Sequence, residues 1–143
     1  MDFSLREIPN VRQRPEEGFR RYFDCPLFRL WVFYTKDKSS IEGFQLFIGT
    51  NPEQRELAII WSLSGDKFIY QEVEPHDERG FMGMSPIFGK TLQHIPPITV
   101  SFFRQDAQNI DQELVRFITT KIMEKGNITE KMVEDAERKY KER

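Results

Sequence analysis

The sequence predicts an α+β fold: a single antiparallel sheet of five or six strands, mostly a meander, with C-terminal helices packed on one face. Three observations predict it. Apolar and polar positions alternate in short runs between residues 27 and 104, which is the period of a strand. Gly, Pro, Asn and Asp punctuate those runs closely, and short links join antiparallel neighbours. Beyond residue 108 the apolar period lengthens to that of a helix. A length of 143 residues suits one domain, divided into an extended arm (1–18), a mainly sheet region (19–108) and two helices (109–143).

The arm carries Pro9 and Pro15 and scattered apolar residues, of which Phe3, Leu5, Ile8 and Val11 are the ones able to pin it to the body. Residues 19–26, FRRYFDCP, fit a helical turn or a strand entry equally, with Pro26 disfavouring helix at Cys25. From Leu27 the pattern is clear. Phe28, Leu30, Val32 and Tyr34 share one face of a strand, and Arg29, Trp31, Phe33 and Thr35 share the other. Both faces are largely apolar, so each needs a cover. A polar link at 36–40 joins this strand to a partner in which Phe44, Leu46 and Ile48 alternate with Gln45, Phe47 and Gly49. The pair reads as a hairpin.

A turn over residues 49–54 leads to a strand at 56–63, and Ser64, Gly65 and Asp66 turn the chain into another at 68–74. Residues 75–97 hold three glycines and four prolines and keep no period. A loop of that length in a compact domain is often functional, and within it residues 84–88 read as a brief edge strand. Residues 98–104 alternate Ile98, Val100 and Phe102 with Thr99, Ser101 and Phe103, and read as a further strand of the sheet. Asn109 then caps a helix with Gln112 at the capping-box position and a stripe of Ile110, Leu114, Phe117, Ile118 and Ile122, which Gly126 stops. Asn127 and Glu130 cap a second helix running to about Lys141, with a thin stripe of Met132, Val133, Ala136 and Tyr140. That stripe suits an exposed helix extending away from the body.

Composition narrows the function classes. Thirteen Phe, two Trp and four Tyr concentrate the core in few large side chains, while a net charge of −2 leaves no electrostatic footprint for nucleic acid. A lone Cys25 excludes an internal disulfide and a multi-cysteine zinc site. No apolar run reaches the roughly 20 residues of a membrane span, and the first eighteen residues lack the apolar core of a secretion signal. A cytoplasmic protein is the expectation.

No nucleophile elbow, Walker loop, dinucleotide fingerprint or zinc spacing occurs, so no catalytic residue, cofactor or metal is assigned. The candidate ligand-binding residues are Arg20, Arg21, Arg29, Trp31, His76, Asp77 and His94. Arginines interleaved with aromatic residues on a sheet are the ingredients of stacking recognition, opposed here by the acids Asp2, Glu7, Glu16, Glu17, Asp24 and Asp37. His76 beside Asp77, together with His94 in the same loop, offers groups able to carry a proton if they meet. A solvated turn is the simpler account of the first pair.

The succession Arg20, Arg21, Tyr22, Phe23, then Trp31, then Gly43 to Leu46 (GFQL), then RELAIIW at 55–61 resembles an uncharacterised family of short bacterial proteins. The chain departs from it at Phe47 and Ile48, where the family tends to cysteine and tyrosine, and in a longer C-terminal helix pair. The resemblance implies a bacterial cytoplasmic protein and carries no activity, cofactor or site residue. The leading expectation is a non-enzymatic binding or interaction protein that forms a homodimer through its sheet or last helix. The alternatives are a small-molecule binder or enzyme using the sheet face and the 75–97 loop, and a weaker one, single-stranded nucleic-acid binding.

Overall fold

The computed structural model describes residues 3–49, 56–73 and 88–142. The strands are β1 (Arg6–Glu7), β2 (Phe19–Asp24), β3 (Phe28–Tyr34), β4 (Ile41–Ile48), β5 (Leu57–Ser62), β6 (Lys67–Val73) and β7 (Phe88–Thr91). Three helices follow, α1 (Ile98–Asp106), α2 (Gln112–Gly126) and α3 (Glu130–Lys141). The described strands form one seven-stranded sheet in chain order, every neighbouring pair antiparallel. The α+β class and the meander are as the sequence predicts. Of the loop 75–97, the expected piece 84–88 lies outside the described residues up to Phe88, where β7 begins.

Register decides which side chains share a face, because directly opposed residues of an antiparallel pair point the same way. Phe23 opposes Leu30, Leu30 opposes Leu46, Leu46 opposes Ile59 and Ile59 opposes Tyr70. This row, with Phe28, Val32, Phe44 and Trp61 beside it, faces the helices and is buried. Val100 and Phe103 of α1, Leu114, Val115, Ile118 and Ile122 of α2, and Val133 of α3 complete that core. Phe103 meets Phe28 edge-on at 5.5 Å, and Phe117 meets Trp61 edge-on at the same distance, an arrangement the ring quadrupoles favour.

Residues 98–104 are not a strand. They form α1, and its buried positions Val100 and Phe103, continued by Ala107, fall three and four apart. Pro96 and Pro97 precede it, with Pro97 already helical at φ −56°, ψ −28°. A proline at a helix start loses no hydrogen bond and has its φ preset, so this pair favours helix over the strand that β-branched alternation suggests. The sheet gains its strands instead from residues 19–24, whose class the sequence leaves open, and from β1 and β7.

The helix boundaries also move. Asp111, not Asn109, caps α2, accepting from the Glu113 amide at 3.0 Å. Gln112 turns back to donate to the carbonyls of Ala107 and Ile110 at 2.9 and 2.8 Å, satisfying acceptors left where α1 ends. Gly126 stays within α2, and Asn127 takes the left-handed conformation at φ 55°. Thr129, rather than Asn127, caps α3, accepting from the Met132 amide at 3.2 Å. α3 does not extend away: Val133 is buried, Tyr140 meets Phe102 of α1 edge-on at 5.1 Å, and Arg104 of α1 bonds Glu130 twice, at 3.0 and 2.5 Å. A thin apolar stripe suffices because α1, unseen in the sequence pattern, supplies the opposing surface.

The arm closes one edge of the sheet. Leu5 is buried with its amide on the Asp106 carbonyl at 2.7 Å, and the Ile8 amide reaches the Tyr22 carbonyl at 2.9 Å. Gln13 then replaces a strand with a side chain: its amide donates to the Arg20 carbonyl at 2.7 Å and accepts from the Arg20 amide at 2.9 Å. Open edges invite other strands to pair, and β2 offers none at Arg20.

The β3–β4 link is held by Asp37, whose carboxylate accepts from Thr35 Oγ1 and Ser39 Oγ at 2.5 and 2.6 Å. The Ser39 and Thr35 hydroxyls pull its pKa down to about 2. A depressed carboxylate pKa contributes stability above the unfolded value near 3.9 that is lost as pH falls through about 2. Asp37→Asn is therefore expected to be less stable than wild type at pH 6, with the gap closing toward pH 2. Urea titrations at both pH values measure it, and a gap that does not narrow in acid removes the assignment.

Candidate functional site

The second face of the sheet carries the side chains that register places opposite the core row. Tyr22 opposes Trp31, Trp31 opposes Gln45 and Gln45 opposes Ile60. On one side of this row lie Asp24, Arg29, Phe47, Ala58 and Gln71, and on the other Arg20, Phe33, Gly43 and Ser62. Three of the sequence-predicted residues, Arg20, Arg29 and Trp31, thus meet on one surface.

The aromatic side chains form a continuous strip. Tyr22 and Trp31 have ring centroids 4.5 Å apart and tilted by 33°, and Trp31 and Phe33 stack at 6.5 Å and 15°. All three are half-buried. Burial raises the Tyr22 pKa, so the phenol is neutral across the physiological range. The indole Nε1 of Trp31 is buried without a hydrogen-bond partner among the described residues. A buried donor left unpaired costs roughly 1–3 kcal/mol, which marks this point as one where an acceptor would bring a gain.

Both arginines on this face are committed. The Arg20 guanidinium lies over the Trp31 ring, 5.5 Å from its centroid, and donates from Nε to the Arg12 carbonyl at 2.9 Å. Only 9% of Arg20 is exposed, and burial, reinforced by Arg14, lowers its pKa from the usual value. Arg29 lies over Phe47 at 5.3 Å and pairs with Glu56. Phe47, Ala58 and Val73 are buried in a cluster of their own on this face, with Trp31 and Ile60 against it. The Arg12 carbonyl of the arm thus holds the Arg20 guanidinium over Trp31 on this face of β3.

Beside the strip is a groove of about 470 Å³ floored by Phe33, Gly43, Gln45, Ile60 and Ser62. Gly43 keeps this floor low, and the register shift between Phe33 and Tyr34 sits next to it. A Cβ at Gly43 would stand 2.7 Å from the Trp61 carbonyl oxygen, closer than side chains approach backbone. Among the described residues Glu42 is the one charged group lining the groove.

The other predicted residues go elsewhere. Arg21, next to Arg20, points to the helix face, where it grips Glu7 at 2.9 and 2.6 Å, reaches Tyr34 Oη at 3.2 Å and lies 3.8 Å from Asp111. The Glu7 bonds raise its pKa. It joins arm, sheet and the α2 cap, a structural clamp. His94 is exposed at the mouth of a separate cavity between β6 and the α2–α3 junction. His76 and Asp77 lie outside the described residues. The sequence reading placed Phe33 on this face but missed Tyr22 and Gly43; the strand period would have found Tyr22 had residues 19–24 been assigned.

Among the described residues no group of three His, Cys, Asp or Glu side chains is gathered as metal ligands would be. No helix among them is long and apolar enough to cross a membrane. Set against protein-family models, curated proteins and solved structures, the chain matches none.

Proposed function

We propose that the protein is a non-enzymatic interaction protein that pairs with a second copy of itself through the second face of its sheet. The observation that carries this reading is the half-buried aromatic strip Tyr22–Trp31–Phe33. Trp, Tyr and Arg are the residues in which interface energy concentrates, and this face groups them. It also carries both signs of charge, with Asp24 and Glu56 beside Arg20 and Arg29, as a self-complementary two-fold contact requires. With the β2 edge closed at Arg20 by Gln13, the face rather than that edge is what remains for a partner. A cytoplasmic, bacterial setting belongs to the same proposal through the resemblance of residues 20–61.

The groove of about 470 Å³ favours a second reading, a small uncharged or cationic ligand seated between Phe33 and Ser62. Nucleic acid comes third, because Arg20 and Arg29 are already occupied by the Arg12 carbonyl and Glu56.

Sedimentation velocity across micromolar concentrations tests the pairing. A dimer is expected, with Trp31→Ala weakening it by about 2 kcal/mol or more, about thirtyfold in the dissociation constant. Phe33→Asp should abolish it. A wild-type monomer at every concentration would end the proposal.

A further inference from the structure

A second cavity shares no lining residue with the groove beside that strip. About 710 Å³ opens between β6, residues 92–97 and the α2–α3 junction, within the range of small-molecule sites. Its apolar lining includes Phe68 and Tyr70 from β6, Ile95 from the connection, Ile128 from the α2–α3 junction and Met132 from α3, and Gln71, Thr91, Gln93 and Asn127 are its uncharged polar members. Ile95 and Ile128 are nearly buried, while Met132 is 40% exposed at the rim.

Two basic side chains, Lys125 and His94, line the cavity, and among the described residues no Asp or Glu does. Lys125 also pairs with Asp66, which accepts a hydrogen bond from Trp61 Nε1 at 2.8 Å. An ammonium has three donors, so the Asp66 bond leaves two. Asp66 raises the Lys125 pKa, and Glu124 adds to the effect, so the lysine stays charged. A mainly apolar chamber, with a cation at its mouth that keeps two donors beyond its Asp66 bond, complements a molecule that is apolar over most of its length and carries one negative charge at its end.

We infer that this cavity binds an apolar carboxylate, of the chemical class of a medium-chain fatty acid, with its carboxylate on Lys125 and His94 and its chain between Phe68, Ile95 and Ile128. This site shares no residue with the strip Tyr22–Trp31–Phe33 or the groove beside it and is independent of whether the protein pairs with itself. Burial of the chain supplies the affinity, in proportion to apolar area. Lys125 supplies the preference for an anionic head over a neutral or cationic one.

Dodecanoate, dodecan-1-ol and dodecyltrimethylammonium, kept below their micelle concentrations, are the probes, and the indole N–H resonances of the two tryptophans report which site responds. Dodecanoate should bind most tightly, shifting the Trp61 resonance, through Lys125 and Asp66, and leaving that of Trp31 in place. Lys125→Gln should weaken dodecanoate about tenfold and leave dodecan-1-ol unchanged. Since Lys125→Gln also removes a partner of Asp66, its melting temperature is compared with wild type. Met132→Trp, which fills the cavity from the rim and leaves that pair alone, should weaken all probes. Absence of dodecanoate binding, binding unaffected by both variants, or a response at Trp31 instead of Trp61 would overturn the inference.

Discussion

Phe103→Ala is expected to lose about 3–5 kcal/mol of folding free energy. Phe103 is fully buried on α1 and packs edge-on against Phe28, so truncation removes an aromatic contact between helix layer and sheet and leaves a cavity. Phe102→Ala, next to it, should cost about 1 kcal/mol, because that ring is half-buried and its aromatic partner, Tyr140, is itself 54% exposed. The two variants discriminate between structures. In a strand over residues 98–104, Val100 and Phe102 would point inward together and Phe103 outward, so the order of losses would reverse. Urea denaturation of both variants reads the difference, and a larger loss for Phe102→Ala would refute the helix.

Gly18→Val should be nearly as damaging. Gly18 has φ 92° and ψ −164°, a region open essentially to glycine, where another residue costs about 1–3 kcal/mol. A Cβ there would also collide with the Tyr34 carbonyl oxygen. The site matters because Gly18 turns the arm into β2, so strain there loosens Gln13 and Arg12 from Arg20 and uncovers the β2 edge. Loss of stability accompanied by faster amide exchange at Arg20 is expected. Gly126→Ala is the contrast: Gly126 is helical, its added methyl would meet Ile128 and Ile95 at an ordinary 3.5 Å, and a gain of about 0.5–1 kcal/mol is expected. If Gly18→Val left stability and exchange unchanged, the arm's docking would not depend on that turn.

Much of the sheet was legible because its strands obey local rules. β3 and β4 alternate cleanly, the polar link at 36–40 is short, and Ser64–Asp66 turns β5 into β6, so the meander follows from period and turn chemistry alone. Residues 98–106 were not legible, since Ile98, Val100 and Phe102 satisfy a strand period while Val100, Phe103 and Ala107 satisfy a helical one. Short apolar runs carry both signals. What selects the helix is the pair of prolines before it and a sheet surface, centred on Phe28, that needs a layer over it. The exposed helix expected at the C-terminus becomes a packed one for the same reason: its thin stripe is enough once α1 lies opposite.

The candidate site divides along the same line. That Arg29, Trp31 and Phe33 share a face of β3 is a property of the strand period, and the sequence determined it. That Tyr22 stacks on Trp31, that Arg20 joins them while its neighbour Arg21 turns to the opposite face, and that Gln13 closes the edge were decided by the β2–β3 register. Register depends on pairing between segments and has no local signature where one of them is ambiguous. That His94 and Lys125 line one cavity is more remote still: the sequence supplied the residues, and only packing of the α2–α3 junction against β6 placed them around it, since the contact energy that does so is spread over side chains far apart in the chain.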